Sequence, residues 1–426
     1  VKVLVVGNGG REHALAWKLL QSSEVEQVIC VPGNGGTATL QGCQNLPIAG
    51  SDFASIAEAA KSYGVSLIVV GPELPLSEGI TDYLQKKGFA VFGPTQMGAQ
   101  IESSKSWAKT VMLEAGVPTA IAKTFTEASG AKAYIAQQGA PIVVKADGLA
   151  AGKGVIVAMT VEEALQAIDS LFQENYTTLV VEEYLEGEEV SVLALTDGIT
   201  IRPLLPAQDH KRIGEGDRGN NTGGMGAYAP TPLASPEIVQ RVDAEVLQPT
   251  LAVLRKRGID YRGVLYAGLM IDSKGEIRVL EFNCRFGDPE TQVVLPLLET
   301  PLDELLLACI EQRLEELPPL QWKPGSAVCV VTASAGYPGS YEKGKVISGI
   351  QEAEATGAII FHAGTKLQGE DIITDGGRVL GLTAVAEDFE SAIASVYRAV
   401  NCLQFEGMYY RRDIGHRVIS NPVKHP

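Results

Sequence analysis

The segment Arg278-Val-Leu-Glu281-Phe-Asn283-Cys-Arg285-Phe-Gly287-Asp288-Pro-Glu290 carries the most chemically specific spacing in the chain. Its apolar positions alternate, so Glu281 and Asn283 fall two residues apart on a strand and face the same side. A carboxylate and an amide oxygen side by side are hard ligands of the kind Mg²⁺ accepts beside nucleotide phosphates. Upstream, Pro141-Ile-Val-Val-Lys145-Ala-Asp147-Gly148-Leu-Ala-Ala-Gly152-Lys153-Gly154 is an apolar strand that ends in a lysine and opens into a glycine-rich loop. Such a loop brings backbone N–H groups close to phosphate while lysines neutralise its charge. Together the two segments describe ATP-dependent chemistry at a nucleotide–Mg²⁺ site assembled from distant parts of the chain.

The amino-terminal run Val3-Leu-Val-Val-Gly7-Asn-Gly9-Gly10-Arg11-Glu12-His13 is a strand, a glycine turn and a helix start, where free N–H groups hold phosphate well. A dinucleotide site is disfavoured. Glu12 replaces the third fingerprint glycine, and Cys30-Val-Pro-Gly-Asn34 stands where the ribose acid belongs. A phosphate or phosphosugar site is the functional reading, and a structural turn the alternative. Asn34 and the turn Gly71-Pro72-Glu73 close the next two strands on the same rim, as partners for sugar hydroxyls; Glu73 alone also reads as a solvated loop acid.

Lys145 ends an apolar strand, an unusual place for a lysine unless it faces phosphate; Lys105 by itself also reads as a surface helix lysine. In Val180-Val-Glu182-Glu183-Tyr184-Leu185-Glu186-Gly187-Glu188-Glu189, a strand exits into a hinge. It offers backbone groups and a carboxylate to adenine, then an acid to ribose; a solvated loop is the alternative. Arg285 has the planar fork suited to carboxylate or phosphate, and Asp288 either borders the substrate or forms an ion pair with Arg285. Cys284 reads as a core thiol, with no histidine near it in sequence. His13 and His210 lie in motif loops, where structural hydrogen bonding is as good a reading as acid–base chemistry.

Positioning these groups requires alternating strands and helices. Val3–Val6, Gln27–Val31, Ser66–Val70 and Phe89–Phe92 read as strands. Glu12–Leu20, Phe53–Tyr63 and Ser77–Lys87 read as helices, which predicts a doubly wound parallel sheet. A helix over Ser103–Ala115 leads into a second unit from Pro118 to Leu185, with strands at Ile142–Lys145, Val155–Ala158 and Thr178–Glu183. Its helices are Glu127–Gln138 and one entered through the capping box Thr160-Val-Glu-Glu163. Strands follow at Val190–Thr196, Gly263–Ile271 and Ile277–Phe282, with a helix from Pro236 to about Lys256. The polar, glycine-dense run from Gln208 to Gly226 is too long for an idle turn. Beyond the linker-like Leu317–Pro324, strands at Ser326–Ala333, Ala358–His362 and Val379–Ala386 precede a helix from Asp388 to about Asn401.

Bulk properties narrow the partners. A net charge of −16 over 426 residues argues against nucleic acid, and no apolar run approaches the roughly 18 residues of a membrane span. Val1–Val6 reads as a strand and not as a signal peptide. Six scattered cysteines without metal-like grouping fit a reducing cytoplasm. A monomer or weak oligomer is expected.

The set Lys105, Lys145, the glycine loop, Glu182–Glu189 and Glu281-x-Asn283 resembles the ATP-grasp superfamily, in which two α/β lobes clamp ATP. Longer strings narrow the resemblance to the glycinamide ribonucleotide synthetase family over essentially the whole chain. They are Gly7–His13, Pro32-Gly-Asn34, Lys145–Gly154, Asp209-His-Lys211, Asn221-Thr-Gly-Gly-Met-Gly226 and Glu281–Glu290. The resemblance implies an α/β ATP-grasp fold with an N-terminal doubly wound parallel-sheet domain (1–101). An ATP-grasp region (102–316) contains a mobile lid (118–186), and a small C-terminal α/β domain covers 325–426. It implies that ATP, glycine and 5-phosphoribosylamine give glycinamide ribonucleotide, ADP and phosphate through glycyl phosphate, in purine biosynthesis. Lys105, Lys145, Gly152, Lys153, Gly154, Glu182, Glu183, Tyr184, Leu185 and Glu189 would then hold ATP. Glu281 and Asn283 would ligate Mg²⁺ or Mn²⁺, and Asp209, Lys211, Arg285 and Asp288 would serve catalysis. Gly9, Gly10, Arg11, Glu12, Asn34, Pro72, Glu73, Thr222, Gly223, Gly224, Met225 and Gly287 would border the acceptor substrates. Many superfamily members carry a further metal carboxylate about a dozen residues before the Glu-x-Asn pair. Here Ala267-Gly-Leu-Met270 stands there, so Asp288 or Glu290 is the substitute and the ion count stays open. The rival readings are an ATP-grasp carboxylase, using bicarbonate, and a non-catalytic nucleotide sensor.

Overall fold

The computed structural model describes residues 1–150 and 154–420. The first sheet is wholly parallel, in the spatial order Cys43–Asn45, Gln27–Pro32, Lys2–Gly7, Leu67–Val70, Val91–Phe92. Its order reverses at Lys2–Gly7, which opens a crevice at the strands' carboxyl ends. Those ends carry the Gly9–Arg11 turn, Asn34 and Glu73. The expected helix over Ser77–Lys87 is two helices, Glu73–Ser77 and Ile80–Lys86. Gly79, at φ +89°, breaks it in the left-handed region that only glycine enters freely.

Ala122–Phe125, Leu179–Glu183, Ile142–Ala146 and Val155–Ala158 form an antiparallel sheet in that order. Helices Ala128–Gln138 and Val161–Gln173 cover it with a separate core that includes Ile135, Val144, Ile168 and Leu171. Thr160 and Glu163 make the reciprocal cap foreseen from the sequence. A second antiparallel sheet is ordered Ile201–Pro203, Glu188–Thr196, Gly263–Ile271, Ile277–Asn283. Its inner face shares one core with the first sheet, for Val190, Leu265 and Val279 pack in the cluster that holds Leu4, Ile29 and Ile68. The helix expected from Pro236 to Lys256 contains a π-helical turn at Asp243–Leu247. That turn immediately precedes Pro249, whose ring clashes with the carbonyl four residues back and which has no N–H to donate.

The last sheet runs Gln208–Asp209, Gly226–Ala229, Ser326–Ala333, Arg378–Ala386, Ile359–His362. Two of its strands come from the glycine-dense middle segment, which therefore belongs structurally with the carboxy-terminal residues. Buried histidines line this contact. His13 Nδ1 accepts from the His362 backbone N–H at 2.8 Å, and His210 Nε2 from that of Gly415 at 3.1 Å. Burial lowers His210 and His362 each from 6.5 to about 4 and takes His13 well below its usual value. The unfolded chain therefore binds protons that the native state refuses, and stability present above about pH 6.5 drains away as pH falls toward 4. At about pH 5 the cost is roughly 2 kcal/mol for each of His210 and His362. Thermal unfolding followed against pH should show a melting temperature that drops across this window, with a shallower drop for His210→Asn. A flat profile contradicts the assignment.

Candidate active site

Between the sheet that holds Lys145 and the sheet that holds Glu281 lies a cavity of about 860 Å³. The strand Ile277–Asn283 brings its acids there through a bulge. Gly268 pairs with Glu281 and Leu269 with Val279, so Leu280 is the extra residue. Val279 is fully buried in the core, while Glu281 lines the cavity. Without the bulge, strict alternation would turn Glu281 inward with Val279. The bulged Leu280 has a backbone carbonyl that accepts from Lys145 Nζ at 3.1 Å.

Four cations surround Glu281. Burial alone would raise its pKa, but Lys211, Lys145, Lys105 and Arg285 hold it below the usual carboxylate range. No hydrogen-bond donor among the described residues is directed at its carboxylate, and Asn283 lines the same wall. An ionised, cavity-facing carboxylate beside an amide oxygen fits a hard divalent cation. Lys211 pairs with Glu189. Burial opposes its charge, yet Glu189, Asp209 and Glu281 keep its ammonium well above the lysine value. Asp209 moves the other way, raised by burial to about 7 against the pull of Lys211.

Lys145 is 6% exposed and its ammonium lies 2.8 Å from Glu182 Oε2. It is therefore a buried, ion-paired lysine at the cavity wall, not one standing free in an open cleft. Lys105 Nζ donates to the Gly148 carbonyl at 2.8 Å, and burial lowers its pKa. Asp147 caps the helix that Lys105 begins, accepting from the Lys105 N–H at 2.6 Å. The hinge acids are ordered by partners: Glu183 pairs with Arg278 at 2.5 Å. Glu183, Tyr184, Leu185 and Gly154 line the cavity; Gly152 and Lys153 lie outside the described residues.

Arg11, Glu73, Thr222, Gly223, Arg285 and Asp288 also reach the cavity, and Arg285 donates to Asn283 Oδ1 at 3.4 Å. Arg285 pairs with Glu102 at 2.9 Å and Glu73 at 3.2 Å. Asp288 instead faces Arg378 at 3.4 Å and accepts from the Arg11 N–H, also at 3.4 Å, so the Arg285–Asp288 ion pair does not form. Arg378 and Arg11, working against burial, hold the Asp288 carboxyl below its ordinary range.

Several expected contacts are absent from the cavity wall, each for a packing reason. Glu12 is 2% exposed, accepts from the Gly9 N–H at 2.6 Å, and fills the space that side chains at Gly7 and Gly71 would need. Asn34 spends its amide on helix capping and on the Asn8 and His362 carbonyls, at 3.0 and 2.7 Å. Gly10 lies against Gln292, Gly224 against Pro289 and Gly287 against Glu290, so these glycines serve close packing. Gly9 lies under Glu12, Pro72 caps the helix Glu73–Ser77, and Met225 is fully buried. Cys284 is buried, as read.

Sequence reasoning missed Glu102, Lys109, Arg378 and Arg417. A single acid or lysine inside a helix carries no local signal, and the two arginines come from the distant carboxy-terminal residues. Glu290 was weighed only as a metal ligand. It is 3% exposed, lines the cavity and accepts from Tyr266 at 2.7 Å and Ser191 at 3.2 Å.

Two antiparallel sheets enclosing a cavity lined by Lys105, Lys145, Glu281 and Asn283 define the ATP-grasp class. Residues 1–102, 103–291 and 327–417 match the N domain, the ATP-grasp (A) domain and the C domain of phosphoribosylglycinamide synthetase, respectively. The chain belongs to the phosphoribosylglycinamide synthetase family. It is 66% identical to the phosphoribosylamine–glycine ligase of Nostoc sp. over 99% of this chain and 100% of that protein. A crystal structure of the Thermotoga maritima phosphoribosylamine–glycine ligase superposes with a TM-score of 0.83 at 34% identity, covering 97% of this chain and 100% of that one. A biotin carboxylase structure from Campylobacter jejuni, at 15% identity, shares the fold alone, with a TM-score of 0.73 over 99% of this chain and 95% of that one. Among the described residues no helix is long and apolar enough to cross a membrane.

Proposed function

We propose that this chain joins glycine to 5-phosphoribosylamine at the expense of ATP, in purine biosynthesis, through glycyl phosphate. The observation that carries the reading is one cavity lined by Lys105, Lys145 and the Glu281–Asn283 pair and also by Arg11 and Glu73, with Arg285 linking the two groups through Asn283 Oδ1 at 3.4 Å and Glu73 at 3.2 Å. A carboxylate resists an amine because it is anionic and lacks a leaving group. A glycine carboxylate oxygen attacks the γ-phosphorus, ADP departs, and the acyl phosphate gives up phosphate when the amine of phosphoribosylamine adds at the carbonyl carbon. Positioning and charge stabilisation suffice for both steps.

Lys105, Lys145, Lys153 and the backbone at Gly152 and Gly154 hold the phosphates in this reading; the hinge Glu182–Leu185 takes adenine and Glu189 ribose. Glu281 and Asn283 would hold Mg²⁺ or Mn²⁺, which would supply charge neutralisation to the nucleotide phosphates. Asp209, Lys211, Arg285 and Asp288 face the reacting groups, and Arg11, Glu73, Thr222 and Gly223 the phosphoribosylamine. Residues 1–101, 102–316 and 325–426 form the three functional units, with 118–186 as a mobile lid, and the protein works in the cytoplasm as a monomer or weak oligomer.

Purified protein should release phosphate from ATP only with glycine, phosphoribosylamine and Mg²⁺ all present. Release driven by bicarbonate and indifferent to glycine favours a carboxylase instead; no release under either regime favours a sensor. Arg11 donates to the Phe286 carbonyl at 3.1 Å and pairs with Glu12 at 2.5 Å, which holds its guanidinium in place, and this supports a role in positioning phosphoribosylamine. Arg11→Ala should raise the KM for phosphoribosylamine about tenfold, the scale of one charge-assisted contact, and leave that for ATP unchanged. Initial rates with each substrate varied in turn check this, and an ATP-specific defect would contradict that role.

A further inference from the structure

Lys109 lies one turn beyond Lys105 on the helix Lys105–Ala115 and is only 8% exposed. Its ammonium has three hydrogens and three partners: Thr119 Oγ1 at 2.7 Å, the Ala120 carbonyl at 3.0 Å and Glu182 Oε1 at 3.2 Å. Thr119 and Ala120 lie where the chain enters the lid, and Glu182 where it leaves. One side chain thus clasps both connections of the lid to a helix of the body. Thr119 extends the clasp, because its hydroxyl donates at 2.7 Å to the carbonyl of Val279, on the strand that carries Glu281 and Asn283.

The oxygens of Glu182 are divided between two lysines, Oε1 to Lys109 and Oε2 to Lys145. For Lys145 to turn toward a phosphate it must loosen from Glu182, which is itself only 3% exposed. A buried carboxylate left without a cation is strongly disfavoured. Lys109 removes that obstacle by staying behind.

We infer that Lys109 is a positioning residue for the nucleotide: it pins both lid connections and keeps Glu182 compensated while Lys145 moves to the phosphates. The inference rests on the reading of this cavity as the ATP site. Burial lowers the pKa of Lys109, and Glu182 opposes the shift, as expected of a cation retained for one buried partner.

The test is binding of the non-hydrolysable analogue β,γ-imido-ATP to the full chain, by calorimetry, beside steady-state kinetics. Lys109→Met keeps the length of the side chain and removes the charge. It should weaken analogue binding and raise the KM for ATP by about tenfold, while the KM values for glycine and phosphoribosylamine stay within about twofold. Adding Lys109→Met to Glu182→Gln should cost far less than in the wild type, since the charge it compensates is gone. Thr119→Val, which removes one partner and keeps the ammonium, should move ATP affinity in the same direction by about threefold, and it serves if Lys109→Met does not fold. Unchanged analogue binding in a folded Lys109→Met or in Thr119→Val overturns the role. Equal loss for all three substrates with additive effects would make Lys109 merely structural. A wild type that does not bind the analogue overturns the ATP reading itself, which the mutant comparison alone cannot do.

Discussion

Glu281→Gln is expected to lower turnover by on the order of 10²-fold at ordinary Mg²⁺, and raised Mg²⁺ should restore part of it. The substitution keeps shape and removes the carboxylate that Lys211, Lys145, Lys105 and Arg285 all act on. What remains is an amide pair inside a ring of positive charge, which repels a divalent cation as well as failing to ligate it. Mass action of the metal opposes that loss. The same titration should do nothing for Arg11→Ala, since Arg11 is proposed to contact phosphoribosylamine and not the metal. Equal rescue of both variants would mean that the metal sits elsewhere.

Lys145→Ala should cut turnover by on the order of 10²-fold or more, because developing charge on the transferred phosphoryl group loses a compensating cation. Breaking a buried ion pair ordinarily destabilises a fold as well. Here Glu182 keeps Lys109 at 3.2 Å, so the carboxylate is not left alone. The melting temperature should therefore fall by only a few degrees while activity collapses. Circular dichroism melts beside turnover of the folded variant distinguish the cases. A large drop in melting temperature with near-normal turnover would make Lys145 structural.

The parts of this molecule legible from sequence are those where local pattern and tertiary role agree. Strands Gly263–Ile271 and Ser326–Ala333 were readable to the residue because both are apolar runs bounded by turn signals. The helix Gln96–Ser103 was missed: Gly98 interrupts its pattern, and only packing of Gly98 against Pro94 and Tyr261 explains the glycine. The strand Gly226–Ala229 drew no reading from the sequence, because its membership comes from pairing with Ser326–Ala333, about a hundred residues away in sequence. In the site, Glu281 and Asn283 were legible as a pair, whereas the bulge that turns Glu281 away from the core depends on the opposing Gly268 and Leu269. The glycine-rich turn at Gly7–Arg11 carried a phosphate signal in its sequence. The structure fills the space beside it with Glu12, and only Arg11 of that turn lines the cavity. Motif spacing identifies which segments converge; it does not say which side chain of a motif faces the ligand.

The measurement that bears most directly on the central claim follows an oxygen atom. Full-length protein is given ATP, phosphoribosylamine, Mg²⁺ and glycine labelled with ¹⁸O in its carboxylate, and the products are read by mass spectrometry. If glycine is activated as its acyl phosphate, glycinamide ribonucleotide forms and the inorganic phosphate released with it carries one ¹⁸O, handed over when the amine displaces phosphate. Unlabelled phosphate alongside the amide, or ATP consumed with no amide formed, would contradict the account.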